Sequence, residues 1–349
     1  MNAMMLLLLV SSSLQDPQTF TVGSATAARG QTAYGVINVP AAADSGLSIP
    51  VAVIHGARPG KVVAFVAGSH GTEYASIVAM QRFIPRIPAR NLAGTVIVMP
   101  IINIASIEQM TPHLNPIDRK SMNGNYPGDS TGTQTQRALF AITRAVVDPA
   151  DVVVDLHGGD LDEDLRPYSY WFRGGNASQD SAGKALALAF GLDHIIVTDI
   201  NPAAPARSLS TSALVKGKTV LVAEAGRTGL VRDDEVDKLV FGSFNVLGAL
   251  GMLDRKPVAM KSVVWLGGGA RIAADSGGMF YAAVPRDTRV KQGAVLGRTT
   301  DYWGRNTGEI RSPIDGVVTF IRGVPSMWPR ATLVNIAPIL ATVPPWKTP

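Results

Sequence analysis

The chain has 349 residues, of which 46% are hydrophobic and 17% charged, with 35 glycines and 23 prolines. This composition describes a folded, loop-rich protein with material for a sizeable core and excludes disorder as its organising state. No cysteine is present, so disulfides, thiolate catalysis and cysteine metal sites are excluded together. The formal charge of +5 is spread along the chain without a basic run or an aromatic–basic alternation, which argues against nucleic acid as a partner. A diffuse positive field suits an anionic small molecule, or serves solubility alone.

In chain order, Met4–Val10 (MMLLLLV) followed by Ser11, Ser12 and Ser13 has the apolar core and small residues of a secretory signal. The run is too short to span a bilayer. Residues 1–20 are therefore taken as a signal, implying a periplasmic or extracellular protein, or as a loose tail on a cytoplasmic one. From residue 62, apolar β-branched runs alternate with longer mixed segments: Val62–Ala67, Thr95–Pro100, Val152–Leu156, His194–Val197 and Val220–Ala223. Such runs predict strands of a mostly parallel sheet buried on both faces. The intervening Ala75–Phe83, Thr135–Val147, Ser181–Phe190 and Asp234–Leu253 have apolar residues at helical spacing and no interior proline, predicting crossover helices. After Arg255-Lys256-Pro257 come short β-type runs at Ser262–Leu266, Met279–Val284, Ala294–Thr299, Gly316–Ile321 and Thr332–Ile336. The expected organisation is an α/β domain over 21–255 with a smaller all-β domain over 256–349.

Chemistry concentrates at the ends of three of these strands. Gly68–Glu73 (GSHGTE) follows the first and sets His70 and Glu73 three residues apart on a glycine-loosened turn. Ligands gather at the carboxyl ends of strands in open α/β sheets, and Val152–Gly159 (VVVDLHGG) offers His157 at such an end. Two His and one Glu with an open fourth position form a ligand set of catalytic zinc, so one Zn2+ per chain is expected on His70, Glu73 and His157. Asp155 shares a strand face with His157. It is either the partner that fixes the ring tautomer or a plain solvated carboxylate. Glu224, ending the run in Leu221–Gly226 (LVAEAG), is placed to act as the base. His55 and His194 lie beside or within apolar runs and read as structural, and neither a P-loop nor a G-x-S-x-G elbow occurs.

The ordered series GSHGTE, NPIDRKSMNGNYPG (Asn115–Gly128), VVVDLHGG and LVAEAG resembles the succinylglutamate desuccinylase and aspartoacylase family of zinc hydrolases, whose catalytic fold is similar to that of zinc carboxypeptidases. The resemblance runs from about residue 30 to the carboxyl end. It implies metal binding by His70, Glu73 and His157, with Glu224 as general base and then proton donor. The family's middle segment commonly carries an Asn-Arg pair; here Asn123 matches, but Gly124 stands at the arginine position and His113 at that of a second, upstream arginine. The resemblance thus leaves Asn123, Asn125 and His113 as candidate substrate-binding residues. Arg119 is either a substitute for a missing arginine or a surface residue.

With Ala274–Phe280 (ADSGGMF), Val290–Gly293 (VKQG) and Ser312–Val318 (SPIDGVV), the final domain resembles the family's appended domain, which is similar to biotinyl and lipoyl carrier barrels. Its hairpin over Asp301–Glu309 contains no lysine and Met260-Lys261 lies at the wrong end, so it is expected to be unmodified and to shape the active-site mouth. The expected activity is amide hydrolysis of a small, anionic N-acylated amino acid or related compound by a metal-activated water. A carboxypeptidase or peptidoglycan-fragment peptidase, and a zinc-binding protein without catalysis, are the alternatives. A stable membrane span is not expected; a homo-oligomer is compatible with the sequence.

Overall fold

The computed structural model describes residues 18–258, 260, 262–347 and 349. The Met4–Val10 segment and Lys261 lie outside the described residues, and the first described strand opens at Thr19. No helix among the described residues is long and apolar enough to cross a membrane.

The protein is a mixed α/β structure on one large sheet. Its catalytic part runs, edge inwards, Gln31–Val39, Leu47–His55, Ala93–Met99, Arg58–Ala67, Val152–His157, Thr219–Arg227, Glu163–Arg173, His194–Asp199 and Val264–Leu266. The four from Ala93–Met99 to Thr219–Arg227 are parallel neighbours. They are the strands that read as unbroken apolar runs, as burial on both faces requires. On one face Tyr74–Phe83, Ala177–Phe190 and Asp233–Ala249 pack into a core in which Phe83 meets Phe65 and Phe244 edge-on, with centroids 5.0 and 4.8 Å apart. On the other lie Gln134–Ile142 and Leu209–Val215.

The helices start where local chemistry dictates. Thr133 and Gln136 form a capping box before Gln134–Ile142, and the Asn176 side chain accepts from Gln179 N at the start of Ala177–Phe190, which ends at Gly191 with φ 96°. The helix expected over Thr135–Val147 is α-helical only to Ile142. It widens into a π turn at Thr143–Val147, where the Thr143 hydroxyl donates to the Pro127 carbonyl at 2.9 Å and Val146 and Val147 are buried.

Two features differ from the expected pattern. Glu163–Arg173, a mixed sequence of charges and tyrosines with an internal proline, is a central strand antiparallel to Thr219–Arg227. Its other edge changes partner, pairing Gly316–Arg322 over residues 163–165 and His194–Asp199 over residues 169–173. Pro167, which has no N–H for a ladder, falls in the gap between the two. Val264–Leu266, expected in the β domain, pairs with His194–Ile196 at the sheet edge instead, because Trp265 packs against Trp171 in the helical core with centroids 5.7 Å apart.

Beyond residue 270 the structure is all β. Gly316–Arg322, Thr332–Ala337 and Ala270–Ala273 prolong the large sheet, while Gly278–Ala282, Val295–Thr300, Asn306–Arg311 and Ser326–Met327 form a second, antiparallel one. A separate apolar core, including Phe280, Leu296, Leu333 and Ile336, lies between them. The continuous ladder through residues 163–165, with ion pairs Arg166–Asp287 at 2.6 Å and Arg322–Asp162 at 2.7 Å, seats this β part against the mouth of the catalytic sheet.

Candidate active site

Gly68 ends Arg58–Ala67 with φ +65°, and a Cβ there would stand 2.8 Å from the Ile101 Cα. Only glycine fits this turn, which swings His70 across the strand ends and delivers Glu73 to the N-cap of Tyr74–Phe83. His157 is the last residue of Val152–His157, one strand over. His70 Nδ1 lies 2.6 Å from Glu73 Oε1 and His157 Nδ1 3.0 Å from Oε2. Gly158 N also donates to Oε2, at 3.1 Å.

One ligand atom from each of His70, Glu73 and His157 lies within 4.8 Å of the others. Nitrogen lone pairs that close to a carboxylate need positive charge between them, from protons or from a metal ion. Burial would raise the Glu73 carboxyl, but the imidazoles of His70 and His157 hold it well below the carboxylate range. Burial would lower His157, yet the Asp155 and Glu73 carboxylates raise it well above the ordinary imidazole value. The donor set therefore fits a divalent cation in charge, in ligand chemistry and in convergence.

Sheet register assembles the rest. Glu224 is paired across the parallel ladder with His157, and Val222 with Asp155, so Asp155, His157 and Glu224 share a face. Asp155 Oδ1 stands 3.1 Å from His157 Nε2. Burial pushes the Glu224 carboxyl up; His157 opposes this, while Glu73, Glu163 and Asp155 reinforce it. Glu224 has no hydrogen-bond partner among the described residues and lines the same cavity as the ligand set, of about 370 Å³. Larger cavities, of about 640 and 700 Å³, lie around Arg58 and Arg86 and around Arg166 and Arg286. Neither contains a convergent His/carboxylate set.

The lining also contains residues that strand-end motifs did not point to: Glu163, Tyr168, Tyr170, Ser208, Phe320 and Asn335. The acidic run Asp160–Asp164 directly after the DLHGG motif was the available signal for Glu163. The others come from elements whose pairing is visible only in the folded sheet. Burial pushes Glu163 up to about 7 and Tyr168 well above the phenol range. No lysine or arginine lines this cavity.

Of the three candidate substrate-binding residues and Arg119, the further catalytic candidate, Asn123 reaches the cavity wall, where its Oδ1 is buried without a partner. Asn125 turns away, its amide donating to the Ser121 carbonyl at 2.8 Å, and Arg119 is exposed outside the lining. His113, at φ +61°, borders a neighbouring cavity, its ring 5.7 Å from that of His70. Its Nδ1 is 3.2 Å from Asp160 and its Nε2 3.3 Å from Asp162. Burial opposes its charge, but the Asp162 bond and the Glu163 and Asp160 charges raise it to about 9. His113, Asp162 and Glu163 are close enough to hold a second cation, but the imidazolium and Arg322 already supply the positive charge there.

The succinylglutamate desuccinylase/aspartoacylase catalytic-domain model matches residues 59–250, more than half of the chain. The chain is 25% identical over 321 residues, covering 89% of itself and 92% of its relative, to the N-alpha-acetyl-L-2,4-diaminobutyric acid deacetylase of Halomonas elongata. It has the fold of a succinylglutamate desuccinylase from Silicibacter sp. (TM-score 0.81, 22% identity, 94% and 100% coverage). The product-bound ectoine utilization protein EutE (DoeB) from Ruegeria pomeroyi is similar too (TM-score 0.81, 20% identity, 93% and 100% coverage). With every family motif on one cavity and more than half the chain matched, the protein belongs to the succinylglutamate desuccinylase/aspartoacylase family.

Proposed function

We propose that the chain is a zinc-dependent amidohydrolase that removes a small acyl group from an N-acylated amino acid or related amine. His70, Glu73 and His157 hold the metal in this reading, and Glu224 moves the protons. The observation that carries it is the register of Glu224 beside His157: a carboxyl without a hydrogen-bond partner among the described residues, in the ligands' cavity yet outside the ligand set. A binding site alone has no use for such a group.

Zinc in a site of this kind polarises a carbonyl and lowers the pKa of water to about 7. Glu224 takes a proton from the attacking water as the carbon–oxygen bond forms. It then passes that proton to the amide nitrogen as the carbon–nitrogen bond breaks, leaving a carboxylic acid and an amine, which ionise to a carboxylate and an ammonium as the acid's proton moves to the amine. Asp155, whose Oδ1 stands 3.1 Å from His157 Nε2, would orient the His157 ring as a metal ligand. Tyr168, Tyr170 and Phe320 keep the reacting end out of bulk water.

The family match and the deacetylase relative support acyl-amine cleavage. The test is a panel of N-acetyl and N-succinyl amino acids, including N-acetyl-diaminobutyrate, assayed for amine release with zinc-loaded parent and Glu224→Gln. The expected result is that the variant keeps its zinc and loses turnover by roughly a hundredfold or more. A variant as fast as the parent assigns the base elsewhere, and a parent inert across the panel removes the hydrolase reading.

A further inference from the structure

The positive charge missing from the metal cavity lies next door. A cavity of about 310 Å³ shares Glu163 and Phe320 with the metal cavity and is lined by His113, Arg271, Arg322, Trp328 and Arg330. Apart from His113, Glu163 and Asp162, which also lines it, the residues of this cavity come from the carboxyl-terminal β part. Arg322 is its buried foundation: Nη1 donates to Asp162 Oδ2 at 2.7 Å, Nε to the Ser326 carbonyl at 2.5 Å, and the guanidinium lies 4.4 Å from the Trp328 ring centroid. Its Nη2 is buried with no partner. A buried, unsatisfied guanidinium nitrogen costs free energy unless something accepts from it.

The rim supplies two more cations. Arg271 is held in place by the Thr332 hydroxyl at 2.8 Å and by the Arg330 carbonyl, and neither Arg271 nor Arg330 has a carboxylate partner among the described residues. Against three guanidiniums stand Asp162, already paired with Arg322 and His113, and Glu163. Guanidinium forks match carboxylates in shape and charge, and Trp328 and Phe320 offer apolar walls for a short methylene chain.

We propose that this cavity is the specificity subsite of the enzyme: Arg271 and Arg330, which line it together with Arg322, receive a carboxylate at the end of the substrate remote from the scissile amide. The proposal rests on the amidohydrolase reading. The β part thereby does the work that the family's missing arginine positions, Gly124 and His113, leave undone. The carboxylate can belong to the amine portion or to the acyl portion, and the assay has an arm for each.

The test compares N-acetyl-glutamate with N-acetyl-glutamine, and N-succinyl-glutamine with N-butyryl-glutamine, on zinc-loaded full-length protein. In at least one pair the parent is expected to favour the acid by about ten- to a hundredfold in kcat/KM, the scale of a hydrogen bond to a charged group. Arg271→Gln and Arg330→Gln, both at exposed positions, should reduce that ratio toward one, chiefly through KM, and Arg271→Lys should recover part of it. Equal rates within both pairs overturn the proposal, as does an acid preference that survives both substitutions. If no compound is turned over, the amidohydrolase reading fails separately, and calorimetric titration with glutarate decides: binding lost in both Gln variants sustains the anion subsite, and no binding by the parent removes it.

Discussion

The two sets of residues lining the metal cavity draw on the chain in opposite ways. Asp155, His157 and Glu224 stand on neighbouring parallel strands, and His70 and Glu73 on the turn and helix start that follow a third. Each is fixed by its own short motif. The rest of the lining is gathered from the antiparallel strand Glu163–Arg173, the start of the Leu209–Val215 helix and the β part at Phe320 and Asn335. No local pattern announces it, because Tyr168 and Tyr170 reach the cavity only through pairing with Glu224 and Val222, and Phe320 only through pairing with Leu165. The lesson is a division of labour: the convergent His/carboxylate set comes from strand ends, and the rest of the cavity from long-range sheet pairing.

The metal-side set should respond most to change. His157→Ala leaves two of three ligands and a buried Glu73 without one of its balancing imidazoles, so zinc is expected to fall from about one per chain to a small fraction, with amide hydrolysis below detection. Metal analysis of the purified variant, alongside its circular dichroism, checks this. Unchanged zinc in a folded variant would break the comparison at its base, since the short motifs would then not specify the reacting centre.

A smaller effect is expected one shell out. Asp155→Asn keeps the shape but weakens the hold on His157 Nε2 at 3.1 Å. Loss of such a partner typically costs about 10–100-fold in metal affinity or activity, to be read by chelator competition and by turnover at saturating zinc. A variant indistinguishable from the parent would make Asp155 the plain strand-end carboxylate that its sequence equally allowed.

These residues also show what could be read before folding. The central strands and their crossover helices follow from apolar runs and helical spacing, which depend on neighbours in sequence. Glu163–Arg173 escaped because its alternation is broken by Pro167 and by charges that serve three different partner strands. Val264–Leu266 was legible as a strand but not in its place, since nothing local to Trp265 encodes its packing on Trp171. In the site, motif spacing led to His70, Glu73, His157 and Glu224. The loop of residues 113–128 was harder, because whether Asn123 or Arg119 faces the cavity depends on backbone turns at His113, Arg119 and Gly124, all at positive φ.

A third prediction sharpens the contrast through pH. The His113 value is raised to about 9, so its contribution to stability is fully present below the ordinary imidazole value and is lost as pH rises through about 9. The metal-free parent should melt a few degrees lower at pH 10 than at pH 7, and His113→Asn, whose new side chain tolerates positive φ, should show a shallower decline. The effect is modest because the ring is 38% exposed and solvent screens its partners. Identical slopes would mean that Asp160 and Asp162 are balanced by Arg322 alone.

The smallest effect is expected at Arg119, the residue that a search for a replacement arginine would choose first. It sits at φ +59° in the loop closed by the Asn115–Lys120 bridge, its own N–H donating to the Asn115 carbonyl at 2.8 Å. The loop is fixed by other side chains: Asp118 accepts from Thr135 N at 2.9 Å and from its hydroxyl at 2.8 Å, and Asn115 donates to Gln134 and Thr135 at 2.9 and 3.1 Å. Arg119 forms no ion pair among the described residues and does not line either cavity. Arg119→Ala should therefore change stability by no more than about 0.5 kcal/mol and leave kcat and KM within experimental scatter, measured by denaturant titration and by the same acid-and-amide substrate pairs. A drop in kcat/KM confined to the acidic member of a pair would show that this loop folds over the bound substrate and carries a cation to it, moving the anion contact from the β part back to the catalytic sheet.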